Sequence, residues 1–340
     1  MFDFLKFGTD DEISQRFTDE DRSATRPEVF SLEHLQAWAA ELAATHRIAA
    51  RGKRGFDLLA RLEENKTELI KVYRALTDTA QHEPLTPSAE WLVDNFHIVE
   101  EQLREVRQDL PRKYYRELPK LETGALTGFP RIYELAVDVV AHTDNRLETA
   151  MLNGFLESYQ DQSPLAIGEI WAFPISLRLA LIENLRRFAV LILKARSDRS
   201  AADRLADELA KFTDKEFSGR TFELLAEKFD GGRLTDKFSQ AFLVQFAARL
   251  HEGDDYIGFE LEKLQQRLRP EGVTLEHLAH REHNRQAAAQ STVSNIIRSM
   301  RLLSTLDWRD FFESVSRVDR ILRDDPAGAY SRMDFATRDC

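Results

Sequence analysis

His97 and Glu101 stand four residues apart, the spacing at which two side chains on one helix face could share a metal ion. Catalytic or structural metal sites need three or four such ligands, and no second histidine or carboxylate pair completes the set, so a hydrogen-bonded or ionic helix face is the better reading. His277, His280 and His283 recur every third residue near Glu276 and Glu282. The third turns away from the first around a helix, which favours a solvated face over a metal centre. The carboxylate pairs Glu100-Glu101 and Asp254-Asp255 are adjacent in sequence. Neighbouring helical residues point in different directions, so neither pair can flank a scissile glycosidic bond. Asp334 and Asp339 have no better claim.

Tyr114 and Tyr115 are the strongest candidates for recognition. They lie among Arg112, Lys113 and Arg116, between Pro111 and Pro119. Such a cluster could stack on a sugar or dock a neighbouring domain. The competing account packs both rings under the 111–130 segment with their hydroxyls bonded to backbone carbonyls. The small basic turn Arg51-Gly-Lys-Arg-Gly55 could meet an anionic headgroup or a phosphate, but in an acidic protein it reads as a solvated connection. No phosphate-binding glycine loop and no Gly-x-Ser-x-Gly elbow occurs.

The elements that must position these residues are helices. From Thr86, with Pro87 at the first helical position, apolar residues fall at Leu92, Phe96, Val99, Leu103, Val106 and Leu110. This is one buried stripe at the helical period. Asp94, His97, Glu101, Arg104 and Gln108 form a second, polar stripe. The spacing predicts helices near 31–50, 54–79, 87–110, 129–143, 146–160, 165–197, 199–215, 219–229, 233–251, 255–268, 274–304, 308–323 and 329–338. Glycine and proline are both absent from 56 to 83 and from 175 to 218, which leaves room for long helices. Pro174 predicts a kink. Pro119 to Pro130, with Gly124 and Gly128, reads as irregular. Trp38, Trp91, Trp171 and Trp308 fall at apolar helix positions and read as core anchors. Buried ion pairs across helices account for Glu169, Arg178, Glu183 and Arg187. The expected fold is all-α, an irregular multi-helix assembly without significant sheet. Residues 1–29 are expected to form a flexible arm with a short helix near 12–17, 30–197 a first helical subdomain, and 198–340 a second, with a soft division between about 197 and 232.

Composition sets outer limits. A chain of 340 residues with 43% apolar and 31% charged residues can bury a large core. Its net charge of −11 disfavours nucleic acid as a partner. The sole cysteine, Cys340, permits no intrachain disulfide, which fits the cytosol. No apolar run is long enough to span a bilayer, and the N-terminus is not a signal peptide.

Several phrases also resemble the cyclic β-1,2-glucan synthases of Gram-negative bacteria, which are large inner-membrane glucosyltransferases. They are Ala89 to His97 with Glu100 to Arg104 and Asp109 to Pro119; Phe129-Pro-Arg-Ile-Tyr133 with Ala141-His-Thr-Asp144; Leu165 to Trp171 leading to Leu181–Arg187; Asn295 to Leu303 with Asp307-Trp308; and Asp325 to Tyr330 with Met333 to Asp339. Trp91, Asn95, Phe96, Pro119, Tyr133, Trp171, Glu183, Arg187 and Trp308 carry the signature. The resemblance implies UDP-glucose as glucosyl donor and a divalent metal at the transferase centre, neither of which can be placed in this chain. The Asp-x-Asp and Gln-x-x-Arg-Trp patterns of a processive glucosyltransferase are absent, and Asp307-Trp-Arg309 only echoes them. The chain therefore looks like the soluble N-terminal region alone, ending before the membrane and catalytic domains. Its implied role is a non-catalytic module at the cytosolic face of the inner membrane, with the rest of the synthase as partner. The alternative is a β-1,2-glucan or nucleotide-sugar site centred on Tyr114 and Tyr115 with Arg112 and Arg116; His97, Glu101, Arg104, Arg112, Tyr114, Tyr115 and Arg116 together are the expected substrate-binding or docking residues.

Overall fold

The computed structural model describes residues 28–333, apart from 50–57, 82, 111, 125, 211–232, 252–261, 263 and 327. The expected arm and its short helix, the 51–55 basic turn, the 219–229 helix, the 254–255 carboxylates, Asp334 and Asp339 lie outside the described residues. Among those described the protein is helical, with no strand and only two isolated antiparallel bridges, Ile48 to Leu121 and Lys120 to Pro130. The helices are α1 (Leu32–Thr45), α2 (Leu58–Ala80), α3 (Pro87–Asp94), α4 (Phe96–Asp109), α5 (Arg112–Glu117), α6 (Arg131–His142), α7 (Thr149–Gln160), α8 (Ile167–Ala210), α9 (Leu234–Lys237), α10 (Gln240–His251), α11 (Leu275–Thr305), α12 (Trp308–Val315) and α13 (Arg317–Arg323). No helix among the described residues is long and apolar enough to cross a membrane.

Three local outcomes differ from the sequence pattern. The expected 87–110 helix is broken at Asn95, which leaves helical geometry (φ −108°, ψ 13°) and turns its buried side chain to Arg301, whose Nη2 donates to Oδ1 at 2.6 Å. The 165–197 and 199–215 predictions merge, because α8 runs without interruption through Ser197-Asp198. Ser and Asp cost a helix only a few tenths of a kcal/mol each, roughly, relative to alanine, less than the burial of Ile192, Ala195, Ala202 and Leu205 around them supplies. The stretch after Pro111, which falls between the expected 87–110 and 129–143 helices, forms a helical turn and a half, α5. Pro174 is accommodated inside α8. It lacks the N–H that Ile170 would receive, and nearby the Ser176 hydroxyl donates to the Ala172 carbonyl at 2.8 Å.

The chain divides into two compact units. The first comprises Met1–Thr67, Asp94–Arg186 and Ser294–Cys340; the second comprises Glu68–Val93 and Arg187–Val293. In the first unit, α6 is central: every residue from Arg131 to Val140 is buried. Leu35, Ala39 and Leu42 of α1 and Leu152, Phe155, Leu156 and Tyr159 of α7 are buried with it. α1 packs along α7 and touches α6, and α12 packs on α7. Trp171 stacks on Phe312 at 4.8 Å between ring centres, which joins the start of α8 to α12. Asp144 and Asn145 turn the chain between α6 and α7 with positive φ (48° and 62°), a conformation that short polar side chains tolerate best. Ser299 of α11 staples this turn: its hydroxyl donates to Asn145 O at 2.6 Å and accepts from Leu147 N at 2.9 Å.

The second unit has its own core of Ala202, Leu205, Ala206, Leu234, Phe242, Leu243, Phe246, Leu250, Leu264, Leu268 and Leu278. Phe238, Phe242 and Phe246, one turn apart, stack successively along α10 and the residue run leading into it. Glu271 ties the start of α9 to the 269–271 turn, accepting from the Leu234 and Thr235 amides and the Thr235 hydroxyl.

Candidate functional site

The polar stripe of α4 faces outward: His97, Glu101 and Arg104 are exposed. The apolar stripe expected along 87–110 is buried throughout, with Leu92 in α3, Phe96, Val99, Leu103 and Val106 in α4, and Leu110 just beyond it. The tyrosine pair is turned into the fold. The Tyr114 hydroxyl donates to the Gly168 carbonyl at the start of α8. Tyr115 is buried, with the Lys120 ammonium 5.4 Å from its ring centre. Arg116 is exposed, and its carbonyl accepts from Lys120 Nζ at 3.0 Å. The Arg112 side chain lies outside the described residues. Of the seven residues grouped by sequence as a binding or docking set, three thus share the outer face of α4 and two are engaged in the interior.

The densest chemistry of the first unit lies in three buried polar hubs, each joining elements distant in sequence. Glu183 of α8 accepts from Arg61 Nη2 at 2.7 Å, Arg61 Nε at 3.0 Å, Asn65 Nδ2 at 2.6 Å and Arg186 Nη2 at 2.9 Å. Burial alone would raise this carboxyl, but the Arg186 and Arg61 guanidiniums outweigh it and hold Glu183 below its ordinary range. In the second hub, Arg131 grips Glu169 through Nε and Nη2, both at 2.6 Å, and also donates to the Ser163 hydroxyl and the Pro164 carbonyl.

The third hub belongs to the signature helix. Arg178 donates from Nε to Gln102 Oε1 at 3.0 Å and from Nη2 to the Leu303 carbonyl at 3.0 Å. Glu105 Oε2 lies 2.8 Å from Nη2, and the Trp308 ring centre lies 5.9 Å from the guanidinium carbon. Trp308 Nε1 donates to the same Leu303 carbonyl, and Gln102 Nε2 donates to the Ser304 hydroxyl at 2.8 Å. One fully buried glutamine of α4 therefore helps fix α8 against the end of α11. Replacing Gln102 by Ala leaves a buried guanidinium N–H without its acceptor and should lower stability by about 2 kcal/mol, measured by urea denaturation. A change under about 0.5 kcal/mol would mean that this bond is not fixing the helices.

A fourth cluster has no strong sequence signal, because its members come from separate elements. Glu134 and Asp138 stand one turn apart on α6, both buried. Beyond the end of α1, His46 brings Nε2 to 3.4 Å from Glu134 Oε2, while its Nδ1 is 2.9 Å from the Tyr159 hydroxyl. Burial raises the Glu134 carboxyl to about 7. Asp138 is pushed well above the usual carboxylate range by burial and then by Glu134. Burial, assisted by the Arg131 charge, lowers His46 to about 4. Between about pH 4 and 7, Glu134 and His46 sit largely uncharged, a way for buried titratable groups to tolerate a dry interior.

Each of the three hubs ties α8 to another helix: α2 at Glu183, α6 at Glu169, and α4 with the end of α11 at Arg178. Among the described residues no three His, Cys, Asp or Glu side chains gather to hold a metal ion. Of the nine signature residues, Asn95, Trp171, Glu183 and Trp308 make the contacts given above. Phe96 and Tyr133 are buried, and Pro119 offers its carbonyl to Arg131 N at 3.0 Å. Trp91 and Arg187 are half-buried.

No protein-family model matches the chain. A curated protein does: the chain is 37% identical over 314 residues to the cyclic beta-(1,2)-glucan synthase NdvB of Rhizobium meliloti (strain 1021). The match takes in 92% of this chain and 11% of that protein. Over most of its sequence, then, the chain is similar to one segment of a cyclic β-1,2-glucan synthase, which bears out the resemblance carried by the 86–121 phrases and those downstream.

Proposed function

We propose that this chain serves a cyclic β-1,2-glucan synthase as a non-catalytic helical module at the cytosolic face of the inner membrane, docking on or organising the glucosyltransferase that builds β-1,2-glucan from UDP-glucose. The observation that carries this reading is the 37% identity across 92% of the chain to a segment of such a synthase. The geometry supports it from a second side. The buried hubs at Glu183, Arg131 and Arg178 spend their charges on bonds between helices, and the charged stripe of α4, with His97, Glu101 and Arg104, is left outward as the surface for a partner domain. UDP-glucose and its divalent metal would then belong to that partner. The rival reading, a glucan or nucleotide-sugar site centred on Tyr114 and Tyr115, requires Tyr114 to release the Gly168 carbonyl and Tyr115 to leave the interior.

Co-expression of this chain with the remaining segments of the synthase decides the matter. The two should co-purify, and charge reversal at Arg104 with His97→Ala should weaken capture without unfolding the chain. Failure of the unaltered chain to co-purify, or saturable binding of linear β-1,2-glucan or UDP-glucose to the chain alone, would count against the docking role.

A further inference from the structure

We draw no further inference here: the strongest candidate, the apolar surface of the first unit where Ile321 and Leu322 of α13 and Met333 beyond it stand exposed, carries nothing because no feature of the structure shows what covers it.

Discussion

Replacing Glu169 by Ala should destabilise the first unit by about 3–5 kcal/mol, the loss expected when one partner of a buried ion pair is removed. The pair is nearly dry, with side chains 8% and 1% exposed for Arg131 and Glu169. Without its partner, the guanidinium keeps the neutral Ser163 hydroxyl, the Pro164 carbonyl and the Tyr159 ring but no counter-charge. The same substitution takes the acceptor from Ala166 N, which donates to Glu169 Oε2 at 2.9 Å at the start of α8. A chain of two units need not unfold in one step, so the transition is best followed through Trp171, which lies in the first unit beside Phe312. Glu169→Gln should cost less, because an amide oxygen still accepts one of the two bonds. A loss below about 1 kcal/mol for Glu169→Ala would show that the fork carries little of the fold.

How far such pairs can be read from sequence depends on which half is sought. Glu169, Arg178 and Glu183 could be marked as buried ion-pair members, because each lies on a helix too apolar to leave its charges facing water. Their partners could not be named. Arg131 lies 38 residues before Glu169, and Arg61 lies 122 before Glu183, so no helical period links them. The α4 stripe was legible because one helix face carries it. The interruption at Asn95 was not, since it depends on Arg301 of α11. Tyr114 and Tyr115 illustrate the same limit. Their flanking charges advertise a surface, while Gly168 and Lys120, contributed by other parts of the chain, draw them inward. The one available signal for the Glu134 cluster was α6 itself. Arg131, Glu134, Asp138 and His142 recur at helical spacing through residues that are otherwise apolar, and an ionisable stripe on so apolar a helix has to be paired or neutral.

His46 and Glu134 together make a prediction that neither residue makes alone. Glu134 is raised from 4.5 to about 7, so the native state binds its proton more tightly than the unfolded chain does. Its contribution to stability is full below pH 4.5 and is lost as pH rises through about 7. His46 is lowered from 6.5 to about 4, so its contribution is full above pH 6.5 and is lost as pH falls through about 4. Across the shared window, from 4.5 to 6.5, folding adds one proton at Glu134 and removes one at His46. The two slopes have opposite sign and similar size, so in global unfolding the pair leaves little net pH dependence. Each variant should uncover the other residue. Glu134→Gln should gain stability as pH rises from 4 to 6.5, and His46→Gln should lose it from 4.5 to 7, each by up to about 3 kcal/mol. The shifts are separable because burial drives both and neither residue is a principal cause of the other's. Asp138, raised by burial and then by Glu134, adds a slope of the Glu134 sign that is smaller in the variants lacking Glu134, in the same direction as the gain expected of Glu134→Gln. Urea denaturation of the unaltered chain, both single variants and the double variant at pH 4.5, 5.5 and 6.5 separates these contributions. Divergent single-variant slopes, with the double variant returning to the unaltered profile, would establish the internal cancellation; parallel profiles for all four chains would refute it.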